Sequence, residues 1–210
     1  MKREELQELH YITHFDNLAS ILRRGILSHR RASRHNPTSV ANPSVQAIRS
    51  TKSVPGGSSL HHYVNLYISA RNAMLYSILG FPAIPPPQHL RVCVIGVSPS
   101  VLGLPGVVIA DGNAAAALTG FWPSPEGLDK VSKELVFGRF WTDENPSVAT
   151  VKREGMMAEV LVPGRLAPRH FNHFYVCCPQ AKLHADQLNL GIAFDVNRNL
   201  FFNDGVRLHG

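Results

Sequence analysis

Carboxylates are missing from a long part of this 210-residue chain: between Asp16 and Asp111 there is no Asp or Glu. The same stretch holds nine basic residues, from Arg23 through Arg30, Arg31, Arg34, Arg49 and Lys52 to Arg91. A field of one sign over nearly half a chain suits a polyanion or a phosphate-bearing ligand. Cysteine is scarce. Cys93, Cys177 and Cys178 make a poor disulfide framework, and neighbours on a strand point to opposite sides, so free thiols in a reducing compartment are expected. No apolar run approaches the roughly 18 residues that a membrane-spanning helix needs. The first residues, Met1-Lys2-Arg3-Glu4-Glu5, lack the apolar core of an export signal, which predicts a cytoplasmic protein with no membrane contact. Several catalytic signatures are also missing. There is no Gly-x-Gly-x-x-Gly, P-loop or Gly-x-Ser-x-Gly, which argues against a Rossmann dinucleotide site, an NTPase and an α/β-hydrolase. The eleven histidines show no His-Glu-x-x-His and no paired His/Cys spacing, so no metal site is expected.

What is present reads as one domain over residues 1–210. Tyr11, Ile12 and Thr13 suit a short strand. Asp16 stands where it can cap a helix carrying Leu18, Ile21 and Leu22, which Gly25 stops. Residues 29–60 are loop-like and basic, rich in Pro, Gly, Ser and Asn, apart from an apolar recurrence at Val45 to Ile48. Residues 63–80 read as a strand with Tyr67 at its end, then a helix capped by Ser69 and stopped by Gly80 and Pro82. Residues 82–87 form a proline-rich connector. Strands are expected at 92–97, 107–110 and 171–178, and helices at 114–118, 128–137 and 181–190. The last twenty residues are a weakly determined tail.

One residue stands apart. Glu159 is the single charge in the run 156–162, Met-Met-Ala-Glu-Val-Leu-Val, whose two strand faces are otherwise apolar. A carboxylate in such a strand needs a partner or a task, because burying an unpaired charge is costly. An ion pair with an arginine and a catalytic role are both open on this pattern alone.

The residues then reach a resemblance. Tyr11-Ile12-Thr13-His14-Phe15-Asp16-Asn17-Leu18, Val45-Gln46-Ala47-Ile48-Arg49 and Pro55-Gly56-Gly57 resemble the DarT family. So do Leu60-His61-x-Tyr63-Val64-x-x-Tyr67, Arg71-x-x-Met74-Leu75-Tyr76, Asp111-Gly112-Asn113-Ala114, Phe140-Trp141 and Ala158-Glu159-x-Leu161-Val162, in the same order. DarT proteins are the DNA ADP-ribosyltransferase toxins of DarT–DarG toxin–antitoxin pairs. The resemblance implies an α+β ADP-ribosyltransferase fold, with central antiparallel sheets around an NAD cleft and peripheral helices. It implies NAD as donor, a thymine or guanine base in single-stranded DNA as acceptor, and a macrodomain antitoxin of the DarG type as partner. Carried over residue by residue, Glu159 is the catalytic glutamate and Arg49 the active-site arginine near NAD. Tyr11, Ile12, Thr13, Ser20, Ser28 and Tyr67 match cofactor-binding positions. Met74, Asn113 and Trp141 match the DNA side, within a substrate-recognition region at about 113–159. One departure is plain: the family usually reads Tyr-His-Ile-Thr-His, and here the first two residues are exchanged, as His10-Tyr11. Other reactions on the same fold remain alternatives, such as modification of RNA or removal of an RNA 2′-phosphate. So does an inactive NAD- or nucleic-acid-binding module.

Overall fold

The computed structural model describes residues 1–79 and 90–202, so the connector at 82–87 and the stop at Gly80 lie outside the described residues. In chain order the elements are β1 (Leu9–His14), α1 (Leu18–Arg24), β2 (Ile26–Leu27), α2 (His29–Ala32), α3 (Pro43–Thr51), β3 (Tyr63–Tyr67), α4 (Ala73–Ile78), β4 (Val92–Val97) and β5 (Val108–Ala110). They continue with β6 (Phe121–Pro123), α5 (Lys133–Val136), α6 (Pro146–Gly155), β7 (Glu159–Pro163), β8 (Arg165–Leu166), β9 (Phe171–Val176), α7 (Pro179–Asp186) and β10 (Asp195–Val196). An eight-stranded sheet runs β10-β9-β4-β1-β3-β7-β5-β6, and β2 pairs with β8 in a small second sheet. All pairs are antiparallel except β10 with β9.

The large sheet is two half-sheets joined at a seam. β1 pairs with β4 along its whole length, from Leu9↔Val97 to His14↔Val92. β3 pairs with β7 from Tyr63↔Pro163 to Tyr67↔Glu159. Between β1 and β3 the register holds a single pair, His10↔Tyr67. Past that rung the halves part and a cleft opens. The two central sheets expected from the resemblance are therefore continuous through one rung. The core packs on the strands: every residue of β4 is buried, and Leu9, Leu66, Ile95 and Val160 are fully enclosed.

Local chemistry explains most elements. Gly25 ends α1 at φ 81°, and a Cβ there would lie 2.1 Å from the Leu166 carbonyl oxygen, so both backbone angle and space require glycine. α3 and α6 start alike. The Asn42 and Asn145 side chains accept from the Ser44 and Ser147 amides at 2.9 and 3.0 Å, with Pro43 and Pro146 in the first turn.

Several expectations are corrected. Asp16 does not cap α1. Its carboxylate instead meets Arg91 Nη2 at 2.8 Å, and His14 Nδ1 accepts from the Asp16 amide at 3.2 Å. α4 is capped by Asn72 rather than Ser69, through the Met74 and Leu75 amides at 3.0 and 3.1 Å. The stretch 29–60 is not all loop but carries α2 and α3. Residues 114–118 turn without forming a helix, and 128–137 divides into a 3₁₀ turn (Glu126–Lys130) and α5. α6 fills residues 146–155, where no helix was expected, and β7 begins only at Glu159, because Met156–Ala158 completes the turn out of α6. Cys177 and Cys178 lie past the end of β9 with sulfurs 3.5 Å apart, not on opposite sides of a strand, and Cys93 is a buried core thiol. Phe194, Phe201 and Phe202 bury themselves in the core, so the expected tail is packed as far as Phe202, and residues 203–210 lie outside the described residues. No helix among the described residues is long and apolar enough to cross a membrane.

Candidate active site

The cleft at the seam is a cavity of about 660 Å³. β1 supplies Tyr11, Ile12 and Thr13, β3 supplies Asn65 and Tyr67, and α4 supplies Met74. The segment 37–42 and α3 form another wall, while Asn113, Arg153 and Met157 approach from beyond β5 and α6.

Glu159, the first residue of β7, is fully buried beneath this cavity. Its neighbours on the sheet are Tyr67 and Ala110. Arg49 reaches down from α3 and grips both oxygens, Nη1 to Oε1 and Nη2 to Oε2, each at 3.0 Å. The Ala114 amide donates to Oε1 at 3.0 Å. This is the parallel fork that makes an Arg–carboxylate pair strong and directional. Burial alone disfavours the Arg49 cation, but attraction to Glu159 outweighs it and holds the guanidinium above its ordinary pKa. Arg49 lines the cavity and Glu159 does not, so the guanidinium sits between the carboxylate and any ligand.

The surrounding residues fix this pair. The Asn113 amide donates to the Glu154 carbonyl at 2.9 Å and its Oδ1 accepts from Ala115 at 3.0 Å, which presents the Ala114 amide to Glu159. Lys52 Nζ donates to the Ala116 carbonyl and ties α3 to the same turn. Tyr67 donates its hydroxyl to Met74 Sδ at 2.7 Å. Burial, then the charge of Glu159, pushes the Tyr67 phenol well above its usual pKa, so it stays neutral. On β1, Thr13 Oγ1 accepts from Asn17 Nδ2 at 3.1 Å, and the Asn17 side chain also holds Thr38 by its carbonyl at 2.8 Å and its amide at 3.0 Å. The segment 37–42 is thereby stapled over the strand.

Tyr11 faces the cleft. Burial pushes its phenol up to about 12, and no described residue hydrogen-bonds its hydroxyl. His10 points away from the cleft, 3.7 Å from Glu8, so the displaced histidine does not stand in for the family's.

The cleft brings together Glu159, Arg49, Tyr11, Ile12, Thr13, Tyr67, Met74 and Asn113. Ser20 lines a smaller side chamber of about 190 Å³ that shares Tyr11, Thr13 and Asn17 with the main cavity. Ser28 is buried and faces neither cavity, and its amide donates to the Gly164 carbonyl at 2.9 Å. Trp141 lies apart, edge-on to Tyr76 and Phe202 at 5.2 and 6.0 Å between ring centres. Sequence reasoning passed over Asn17, Gln46 and the stacked rings of His29 and His61, 4.0 Å apart, although all lie within or beside the motifs it quoted. Their signal was polarity beside an apolar helix or strand run.

Comparison with known proteins agrees with this geometry. The family model for DarT, described as ssDNA thymidine ADP-ribosyltransferase, matches residues 10–202. A DNA ADP-ribosyl transferase–DNA ADP-ribosyl glycohydrolase fusion protein of Thermosipho africanus is 34% identical over 178 residues, covering 81% of this chain and 42% of the relative. A DNA ADP-ribosyl transferase of a Thermus species is 32% identical over 169 residues, covering 77% of this chain and 78% of the relative. The chain thus spans less than half of the fusion protein. Among solved structures, Thermosipho africanus DarTG in complex with ADP-ribose superposes with a TM-score of 0.77 at 28% identity, over 93% of this chain and 51% of that one. Thermus DarT in complex with ADP-ribosylated ssDNA superposes with a TM-score of 0.78 over 94% of this chain and 97% of that one, and at 23% identity it speaks for the fold. By the family match and the relatives together, the chain belongs to the DarT family of ADP-ribosyltransferases.

Proposed function

We propose that this protein, as a single catalytic domain, transfers ADP-ribose from NAD to a base of single-stranded DNA and acts in the cytoplasm as the toxin partner of a DarG-type macrodomain antitoxin. The observation that carries the reading is the buried Glu159–Arg49 fork at the floor of a cleft between two half-sheets. The family description names thymidine, so thymine is the base expected first.

The cleft fits such a donor. Its volume lies in the range of small-molecule sites, and its walls offer Arg49, Thr13, Asn17 and the Tyr11 hydroxyl, which no described residue engages, for a dinucleotide's phosphates, ribose and amide groups. Ser20 faces the adjoining chamber, whereas Ser28 acts through the backbone. In the working arrangement Arg49 turns from Glu159 to the donor's phosphates, as a bidentate cation can. Glu159, still held by the Ala114 amide, then faces the ribose. It stabilises the positive charge that grows on the sugar as the bond to nicotinamide breaks, and it can accept the proton lost by the attacking base nitrogen. The neutral Tyr67 phenol and the Met74 thioether form an uncharged wall against which a base can lie, with Asn113 opposite. Trp141 supports α4 through Tyr76 rather than stacking in the cleft.

The test is incubation of the wild type with labelled NAD and oligonucleotides of DNA or RNA, beside Glu159→Gln and Arg49→Ala. Transfer to thymine-containing DNA is expected to fall by at least about 100-fold in both variants, the scale at which removal of one transition-state-stabilising group is felt. Equal labelling by wild type and Glu159→Gln removes Glu159 from the reaction, and a preference for RNA removes DNA as the substrate. Mass spectrometry of the digested product identifies the base.

A further inference from the structure

The cleft has an outer rim that the transfer reaction does not use. α2 shows His29 and Ala32 to the cavity, while Arg30 and Arg31 point outward and are exposed. The pairing of β2 with β8 brings a distant segment beside them: Leu27 lies opposite Arg165 and Ile26 opposite Leu166. Gly164 is the hub. Its amide donates to the His62 carbonyl at 2.8 Å and its carbonyl accepts from Ser28 at 2.9 Å. The Arg31 guanidinium lies directly over its α-carbon, and Arg30 contacts the His62 ring. Arg165 lies against Gly25, just past Arg23 and Arg24 in the last turn of α1, and the turn that carries Arg169 packs on the same helix.

Arg23, Arg24, Arg30, Arg31, Arg165 and Arg169 thus share one exposed face drawn from two parts of the chain. None of them forms an ion pair among the described residues. The sequence offers no local counter-charge either, because neither 17–110 nor 160–185 contains an Asp or Glu. Other surface cations do find carboxylates, as Arg91 does on Asp16, Lys133 on Glu5 and Lys152 on Asp143. Exposed guanidinium groups held close together repel one another, and a polyanion relieves that repulsion while releasing its own counterions.

We propose that this arginine face is a second nucleic-acid surface, which binds the phosphodiester backbone of the DNA strand beyond the acceptor nucleotide, independently of sequence. The inference rests on the proposed DNA reaction and extends it from one base to the strand that carries it. Because α2 is the wall between cleft and face, a strand leaving the cleft over α2 on one side of the acceptor meets Arg30 and Arg31 first and the β8 arginines next. The face therefore serves long strands and not short ones, and only one polarity of extension.

The experiment compares wild type with Arg31→Ser/Arg165→Ser/Arg169→Ser, none of which lines the cleft. Fluorescence anisotropy reads binding to an oligonucleotide just long enough to fill the cleft and to the same oligonucleotide extended on its 5′ or its 3′ side. Wild type is expected to bind one extended form at least about tenfold more tightly than the short one, and the variant to lose that advantage while binding and modifying the short one as wild type does. With three phosphates no longer neutralised, the slope of log K against log salt for the extended strand should fall by about 2, at roughly 0.7 per phosphate on single strands. Equal loss on short and extended strands assigns these arginines to the cleft and overturns the proposal. So does an unchanged slope, or tighter wild-type binding to phosphatidylglycerol vesicles than to DNA. If wild type modifies no DNA at all, the reaction assignment falls, while the binding comparison still reads the arginine face.

Discussion

At the scale of the residue, the site is organised by the need to keep one carboxylate charged inside the core. Glu159 has Arg49 and the Ala114 amide, and among the described residues Arg49 has no other partner of comparable strength. Removing one member leaves a buried charge without compensation, which costs about 3–5 kcal/mol, whereas replacing both with apolar groups of similar volume is often neutral. Arg49→Met and Glu159→Leu are thus each expected to lower stability by that amount, and the double variant to recover most of it. Urea denaturation of the three proteins measures this, and additive losses would mean that the pair is not the unit. Glu159 was legible in the sequence because it breaks an apolar run, but its partner was not. Arg49 sits more than a hundred residues away in a basic segment where several arginines look alike, and only the resemblance distinguished it.

At the scale of the element, helix beginnings were the hardest to read. Asn42-Pro43 and Asn145-Pro146 are the same start signal, yet the first sits in a stretch whose composition reads as loop and no helix was expected after the second. α6 shows why: Val148 and Val151 are exposed, so no buried stripe marks its period. The alanines at 114–118 failed as a helix for the opposite reason. Their best helix former, Ala114, gives its amide to Glu159, and Leu118 is 90% exposed, with nothing to pack on. Strands β1, β3 and β4 were legible because alternation or continuous burial is written directly in residue type. Their outer rung carries a pH dependence. His10 is held below its ordinary pKa by burial, with Glu8 opposing, and its buried Nδ1 has no hydrogen-bond partner among the described residues. Glu8 also receives Tyr175 at 3.0 Å and His173 Nδ1 at 2.9 Å from β9. His14, at the other end of β1, is lowered in the same sense by burial, against Asp16 and with Arg91. A histidine whose folded pKa is depressed contributes stability that is complete above the unfolded value near 6.5 and is lost as pH falls through the folded one. The melting temperature is therefore expected to drop between pH 7.5 and 5.5, and His10→Gln to flatten that drop. A variant as pH-sensitive as wild type would place the titration elsewhere.

At the scale of the whole molecule, the end of the described chain closes the fold. Phe202 adopts φ 57°, a conformation most side chains avoid, and still buries its ring against Tyr76 and Trp141 beneath the Arg71 guanidinium, 4.5 Å from the ring centre. Beside it Phe201 is almost completely enclosed. Truncating a buried phenylalanine of this kind costs about 3–5 kcal/mol, so Phe201→Ala should shift the denaturant midpoint strongly downward. A shift no larger than that of an exposed substitution such as Leu183→Ala would show that the terminal segment only drapes over the core. Little of this was legible, because isolated phenylalanines among Asn, Asp and Gly show no periodicity.

The single rung His10↔Tyr67 has a mechanical meaning. Two plates whose strands meet at one rung share only the core packing beneath them elsewhere, so the backbone resists little of any motion between them. A ligand lying across the gap is then a brace, and its grip on each plate adds directly to the stiffness of the joint. Amide exchange at His10 and Tyr67, the two residues of the rung, is accordingly expected to slow when the cleft is occupied.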